Sequence, residues 1–396
     1  MGNLNSAPQA GTKFMTRSLP FSDSVQTYSP RRVALFEPSH IVLAKGCFAT
    51  VQQRTLVEAT YKLYPAAEVV ERLDLPHNRI DLGTKDPLEL HYAGKQTLVF
   101  GEHKSAVRLS QEQHNTCPNY WHFSPYGFCP YDCNYCYLAG TKGVLFSPTV
   151  KIFLNLPEIL AQIDRLATNF SKPTAFYLGK LQDGLALDTL TGYSQVMVPF
   201  FARHPYARMT LLTKSAGVDN LLDLDHGGHT ILSWSLNPES ICAAFESNTP
   251  SLPERIQAMQ KCIAAGYPVR AVIMPIIPVD GWQDIYTDFL LELLGSIRLD
   301  RITLGGLCSY PDALRLMESK LGHANVISQA LNMAPRKSAD GRSRYPQSLR
   351  LDMYSQLISA IRSLQPDLST SLCLEERSVF EALDMTASLG RCNCVL

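Results

Sequence analysis

The sequence lacks the marks of membrane insertion, secretion and indiscriminate polyanion binding. It has no run of about 18 apolar residues, so no membrane-spanning helix is expected. Basic and acidic residues balance at 36 each in 396 residues, so the chain sets up no net positive field. Nucleic acid could then be held only through a local patch. No charged-then-apolar secretory leader is visible, and eleven cysteines without one read as reduced thiols and ligands in a cytoplasmic protein. Met1-Gly-Asn-Leu-Asn-Ser6 does fit the short N-myristoylation pattern. No internal repeat is evident, which excludes a solenoid or propeller. Hydrophobic residues make up 45%, enough for a substantial core, and the length fits one large domain with appendages.

The most informative residues are three cysteines, Cys129, Cys133 and Cys136, in Phe128-Cys-Pro-Tyr-Asp-Cys-Asn-Tyr-Cys-Tyr137. Thiolates this close can hold three irons of a [4Fe–4S] cube, whereas a cube is usually held by four. The fourth iron is then free to bind and reduce a small molecule. The same cysteines could instead join Cys117 or His122 in a closed tetrahedral zinc site, making a binding module with no catalysis. The C-x3-C-x2-C spacing resembles the signature of the radical S-adenosylmethionine (SAM) superfamily. That resemblance implies SAM on the open iron, cleaved by an electron from the cluster to a 5′-deoxyadenosyl radical. It also implies a flavodoxin- or ferredoxin-type electron donor.

Residues 1–30 are rich in Ser, Pro, Gly and Gln and are expected to be poorly ordered. Residues 31–115 read as a small α/β unit, with strand-like Val33–Phe36 and Thr97–Phe100 flanking a helix around Thr50–Tyr64. Over 116–308 strands alternate with helices, which predicts a parallel sheet. The strand candidates are Lys151–Leu154, Ala175–Leu178, Met209–Thr213, Thr230–Ser235, Arg270–Met274 and Arg301–Leu304. Helices are predicted at Leu156–Thr168, Pro253–Ala265 and Asp284–Leu294, the second capped by Ser251 and ended by Gly266. Six repeats rather than eight predict an α/β fold with an open, partial (β/α)6 barrel. Residues 309–396 form a C-terminal extension with helices around 311–321 and 351–364, a strand-like Ser369–Cys373, and a closing Cys392-Asn-Cys394.

The chain resembles the spore photoproduct lyase family of radical SAM proteins. Arg31-Arg-Val33, Leu75-Pro-His-Asn-Arg79, Thr116-Cys-Pro118, Thr213-Lys214, Ser235-Leu-Asn237, Thr249–Arg255, Ala265–Pro268, Pro275–Pro278 and Gly281-Trp282 occur in the family's order. The resemblance implies a lyase that repairs a thymine photolesion in DNA, with Tyr135 and Tyr137 relaying the radical. It places Lys214, Ser235 and Asn237 near SAM, with Asp183 as a further hydrogen-bonding group, and Gly305-Gly306 beside the adenine. It also makes Arg342 and Arg344, with Arg336, Lys337 and Arg350, a basic hairpin that would meet damaged DNA.

One position departs from the family. In Phe176–Asp183 the donor cysteine's place is held by Lys180, and an N–H bond is too strong to give up a hydrogen atom. Cys308, at the carboxyl end of a strand, and the Cys392/Cys394 pair are the remaining thiols at plausible places. Two enzymatic readings therefore stand, photolesion repair and radical modification of a small molecule or other non-DNA substrate.

Overall fold

A computed structural model describes residues 28–333 and 338–396. The expectations placed on residues 1–27 and on Arg336 and Lys337 lie outside the described residues. In chain order the strands are β1 (His40–Ala44), β2 (Glu68–Arg72), β3 (Thr97–Gly101), β4 (Val107–Ser110), β5 (Tyr120–Phe123), β6 (Tyr126–Gly127), β7 (Asp132–Cys133), β8 (Val150–Phe153), β9 (Thr174–Leu178), β10 (Ala207–Thr213), β11 (Thr230–Ser235), β12 (Glu246–Ser247), β13 (Val269–Ile276), β14 (Arg301–Gly306), β15 (Cys308–Ser309), β16 (Ser343–Arg344) and β17 (Ser369–Leu372).

The larger sheet has the order β17-β14-β13-β11-β10-β9-β5-β4. Its strands run parallel from β17 to β5, and β4 closes the edge antiparallel. The sheet has two chemically different faces. Phe176, Leu178, Met209, Leu211, Leu232, Trp234, Ala271 and Ile273 alternate onto an apolar face that joins the main core. The helices Leu156–Phe170, Ser194–Arg203 and Leu252–Ala264 pack against these strands. Between them Tyr177 lies opposite Thr210, and Ser233 lies opposite Arg270, which brings polar groups to the other face.

An eight-stranded sheet laid flat would separate its edges by about 33 Å. Here Thr116, between β4 and β5, donates through its backbone N–H and its hydroxyl to the carbonyl of Glu375, just beyond β17, at 3.0 and 2.9 Å. The sheet therefore curls until a seam of loop contacts bridges its edges, and no ladder among the described residues completes the closure. This is the open barrel that the strand–helix alternation predicts.

Two strands differ from the sequence reading. Val150–Phe153 forms where a barrel strand is expected but lies in a second sheet, order β2-β1-β3-β8-β6. All four of its residues are buried, and Val150 and Ile152 enter the main core. The first barrel strand is instead β5, whose short Tyr-Trp-His-Phe run carries no hydrophobic alternation. Val33–Phe36 is a turn with Leu35 at φ 61°, because Val33 and Phe36 both enter the core while Leu35 faces solvent. The strand-like Ser369–Cys373 joins the barrel as β17, parallel to β14.

The helix Leu252–Ala264 shows how locally the scaffold is written. Ser251 accepts the Glu254 N–H, and the Glu254 carboxylate returns to the Ser251 N–H at 2.7 Å. Such a capping box satisfies two donors that a helix start leaves unpaired. Gly266, at φ 87°, takes the left-handed conformation just past its end.

Candidate active site

The cysteine loop follows β6 and is fixed from four sides. The buried Lys95 ammonium, at the end of the helix Pro87–Lys95, donates to the carbonyls of Cys129 at 2.6 Å and Tyr131 at 2.5 Å. Asp132 is held by His91 at 2.6 Å and Lys320 at 2.5 Å. β7 pairs antiparallel with β12, so Cys133 lies opposite Glu246. After Cys136 the chain enters a 3-10 turn, Tyr137–Gly140. Gly140 meets the next helix so closely that an added Cβ would lie 2.6 Å from the Ala313 nitrogen.

Cys129 and Cys133 are buried and Cys136 half-buried. Each lies within electrostatic reach of the others. Burial pushes the Cys129 thiol up to about 12 and Cys133 well up too, so positive charge is needed to hold them as thiolates. Among the described residues no three His, Cys, Asp or Glu side chains close on one point as a single metal ion requires. A [4Fe–4S] cube takes each thiolate on a separate iron, and three cysteines within electrostatic reach of one another suit that donor set. The zinc alternative fails at its fourth ligand as well, because Cys117 lies against Cys373 and Cys392, and His122 is buried on β5.

Across the β7–β12 ladder lies a buried polar network. Glu246 accepts from Tyr135 and from Asn237 at 3.2 Å. It is ion-paired with Lys214 at 3.4 Å and Arg255 at 2.6 Å. Lys214 also donates to the Ser235 hydroxyl at 2.5 Å. Burial pushes the Glu246 carboxyl up, but Lys214 and Arg255 outweigh it and hold it at about 2. Lys214, Ser235, Asn237 and Tyr135 are thus brought together beside the cysteine loop. Their shared partner Glu246, and Arg255 behind it, are absent from the sequence-derived set. An acid within Phe-Glu-Ser-Asn carries no motif of its own, and the ladder that delivers it is not written in spacing.

Asp183 lies in the loop after β9, within electrostatic reach of Cys129 and Tyr131. Its carboxylate accepts from Thr213 at 2.6 Å and from the N–H groups of Leu185, Ala186 and Lys214 at 2.9, 2.8 and 2.7 Å. Four internal bonds make it a scaffold of the loop after β9. The room beside Gly305 is taken by the Met274 side chain, 2.7 Å from where a Cβ would stand.

The family model for spore photoproduct lyase matches residues 36–303. The chain belongs to the spore photoproduct lyase family. It is 29% identical to spore photoproduct lyase of Bacillus subtilis over 227 residues, which is 57% of this chain and 64% of the relative. With the enzyme of a Geobacillus species it is 29% identical over 241 residues, 60% of this chain and 69% of the relative. The chain thus spans about two thirds of the length of the curated relatives it matches. The fold is that of a solved spore photoproduct lyase complexed with dinucleoside spore photoproduct, with TM-score 0.72 and 21% identity over 85% of this chain and 98% of that one. A solved mutant lyase with bound AdoMet and the same dinucleoside matches equally, at TM-score 0.72 and 21% identity over the same 85% and 98%.

Against the spore photoproduct lyase family, the structure gives Lys180 a partner. Its ammonium is paired with Glu112 at 3.0 Å and donates to Ser110. Glu112 also takes Arg342 at 2.7 Å, and Asp340 bridges Arg342 at 3.1 Å and Arg344 at 2.5 Å. Arg350 is buried against Glu375 and Glu376. Arg342 and Arg344 are therefore not the free phosphate contacts that the basic run suggests. Both are buried because their charges meet carboxylates brought in from the β4–β5 loop and the turn before β16. Cys308 is buried in the β15–β16 ladder opposite Arg344. Tyr137 is half-exposed and donates to the Lys180 carbonyl at 2.9 Å.

The segment Cys392–Leu396 lies along the polar face of the barrel. Ser233 donates to Asn393 at 2.7 Å, Arg270 to the Val395 carbonyl at 2.6 Å, Arg301 to the Cys392 carbonyl at 3.1 Å, and Thr210 to the Cys394 carbonyl at 3.4 Å. Cys394 comes within electrostatic reach of Tyr120, Tyr137, Tyr177 and Lys180. Among the described residues no helix is long and apolar enough to cross a membrane.

Proposed function

We propose that this chain is a radical SAM lyase that acts on a thymine photoproduct of DNA. The observation that carries the reading is the pairing of Cys133 with Glu246, in a chain of this family. It sets a three-thiol loop against a network of cations and hydroxyls. Cys129, Cys133 and Cys136 would hold a [4Fe–4S] cluster, and Lys214, Ser235 and Asn237 would hold SAM. When bound, these groups supply an electron and a 5′-deoxyadenosyl radical.

The chain's own residues do the positioning. Lys95 fixes the cysteine loop by donating to the carbonyls of Cys129 and Tyr131. Arg255 fixes Glu246, which in turn aims Lys214 and the Tyr135 hydroxyl. Lys214 can offer a cation to a carboxylate, and Ser235 a hydroxyl to an amine or ribose oxygen. Cys394, beside Tyr137 and Tyr177, is the hydrogen donor of this reading in place of a thiol at Lys180. A one-electron donor of flavodoxin or ferredoxin type completes the reaction.

The buried pairing of Arg342 and Arg344 favours a second reading, a substrate other than DNA. The two are separated by incubating reduced, iron-loaded protein and SAM with ultraviolet-irradiated DNA. Repaired thymine dinucleotide is expected, with Cys394→Ala diverting it to a misquenched adduct. Release of 5′-deoxyadenosine without any thymine product would leave the second reading.

A further inference from the structure

Four thiols from three distant segments meet where the barrel's two edges approach. Cys117 comes from the β4–β5 loop, Cys373 from the residue after β17, and Cys392 and Cys394 from the segment on the polar face. The Cys117 thiol is within hydrogen-bonding reach of those of Cys373 and Cys392, and Cys392 of that of Cys394. The seam bond between Thr116 and Glu375, at 3.0 Å, brackets the group. The guanidinium groups of Arg301 and Arg270 donate to the carbonyls of Cys392 and Val395, so the backbone of the segment is itself held in place. None of these contacts involves the Cys129–Cys136 loop.

We propose that Cys117 and Cys392 form a redox-active dithiol, whose disulfide would staple the segment Cys392–Leu396 across the barrel seam. Disulfide chemistry joins two sulfurs and needs no common centre. A single metal ion needs three or more ligands on one point, which these side chains do not provide. Bonds from the Cys117 and Cys394 thiols hold the Cys392 thiol far below its ordinary value, with Arg301 adding to the effect. A thiolate beside a partner thiol is the attacking form in thiol–disulfide exchange, so Cys392 is ready to attack a mixed disulfide formed at Cys117.

The oxidant is a low-molecular-weight disulfide such as oxidised glutathione. The half-buried Cys117 is the point of entry and Cys392, which is buried, resolves. Cys117 passes its proton to the neighbouring Cys392 thiolate and attacks one glutathione sulfur, breaking the S–S bond and releasing one glutathione thiolate. Cys392 then attacks the Cys117 sulfur of the mixed disulfide and releases the second. The one proton that the Cys117 and Cys392 pair carries passes to a released glutathione thiolate, and the other thiolate is protonated by solvent. One disulfide is reduced to two thiols as two protein thiols are oxidised to one disulfide.

The test is a thiol map of the iron-loaded full chain, held anaerobically in glutathione buffers of stepped ratio, quenched by alkylation and cut with trypsin. Fragment 392–396 should appear cross-linked to fragment 109–142, two hydrogens lighter than the sum of the reduced pair. The cross-link should form at least about tenfold faster than any mixed disulfide at Cys262, a buried lone thiol. Cys117→Ser and Cys392→Ser should each abolish it. Three results would overturn the proposal. They are no cross-link at any ratio, a cross-link that persists in Cys117→Ser, and one zinc per chain that Cys117→Ser loses. The readout is covalent and stands whether or not the chain releases 5′-deoxyadenosine.

Discussion

The Lys180 ammonium and the Glu112 carboxylate are ion-paired at 3.0 Å, and the second Glu112 oxygen holds Arg342 at 2.7 Å. A position that resembles a family's hydrogen-donor site is thereby turned into a tie between β9 and the seam. Hydrogen bonds to charged groups are worth about 1.5–3 kcal/mol when buried. Lys180→Met should lower stability by about 1–3 kcal/mol in urea unfolding, which a lysine left in solvent would not do.

The same pair sets an acid limit. Burial pushes Glu112 up, but its bonds to Arg342 and Lys180 outweigh that and hold it at about 2. The folded value lies below that of the unfolded chain, about 4.3. The stabilisation is therefore full above that pH and is lost as pH falls through about 2. Between pH 5 and 2 the Tm of the parent protein should fall more steeply than that of Arg342→Met. Parallel slopes would remove Glu112 from the account.

Glu246 faces two buried cations, Lys214 at 3.4 Å and Arg255 at 2.6 Å. Removing one partner of such a group leaves uncompensated charge and costs about 3–5 kcal/mol. Glu246→Gln should show that loss in denaturant titration. Adding Lys214→Met should recover part of it, giving a coupling energy that a non-interacting pair would not show.

The cysteine loop makes a metal prediction. Anaerobic reconstitution should load about four irons per chain. Cys129→Ala, Cys133→Ala and Cys136→Ala should each lose the broad visible absorption. Cys117→Ala should keep it, because its thiol lies against Cys373 and Cys392. Iron loss at Cys117 with retention at Cys133 would reverse the assignment.

Lys214 and Ser235 are 2.5 Å apart and buried beside the loop. Lys214→Ala should weaken SAM binding at least about tenfold, or about 1.4 kcal/mol, with iron content unchanged. Equilibrium dialysis decides it, and an unaltered Kd would take Lys214 out of the site.

Local signals carried much of this in the sequence. The capping box at Ser251 and Glu254 and the strand Thr230–Ser235 fall where the residues place them, because caps and β-branched runs act within a few residues. Val150–Phe153 was legible as a strand but not as a member of its sheet, since partner choice is made by burial on both faces. Lys214, Ser235 and Asn237 were found through the family's order of motifs. Glu246 and Glu112 were not, because each acts through a contact with residues far along the chain. The pairing of Arg342 was not legible for the same reason, as its partner Glu112 lies 230 residues away.

The bond from Thr116 to Glu375 joins residues 259 apart in sequence. Closure of so long a loop comes late, since the chain entropy is lost before the contact repays it. During vectorial synthesis β5 emerges long before β17, and β14 waits as an unpaired parallel edge until residue 369 is made. Such an edge is a template for unwanted pairing. Chaperone dependence should therefore concentrate in the interval between the completion of β14 and the arrival of β17.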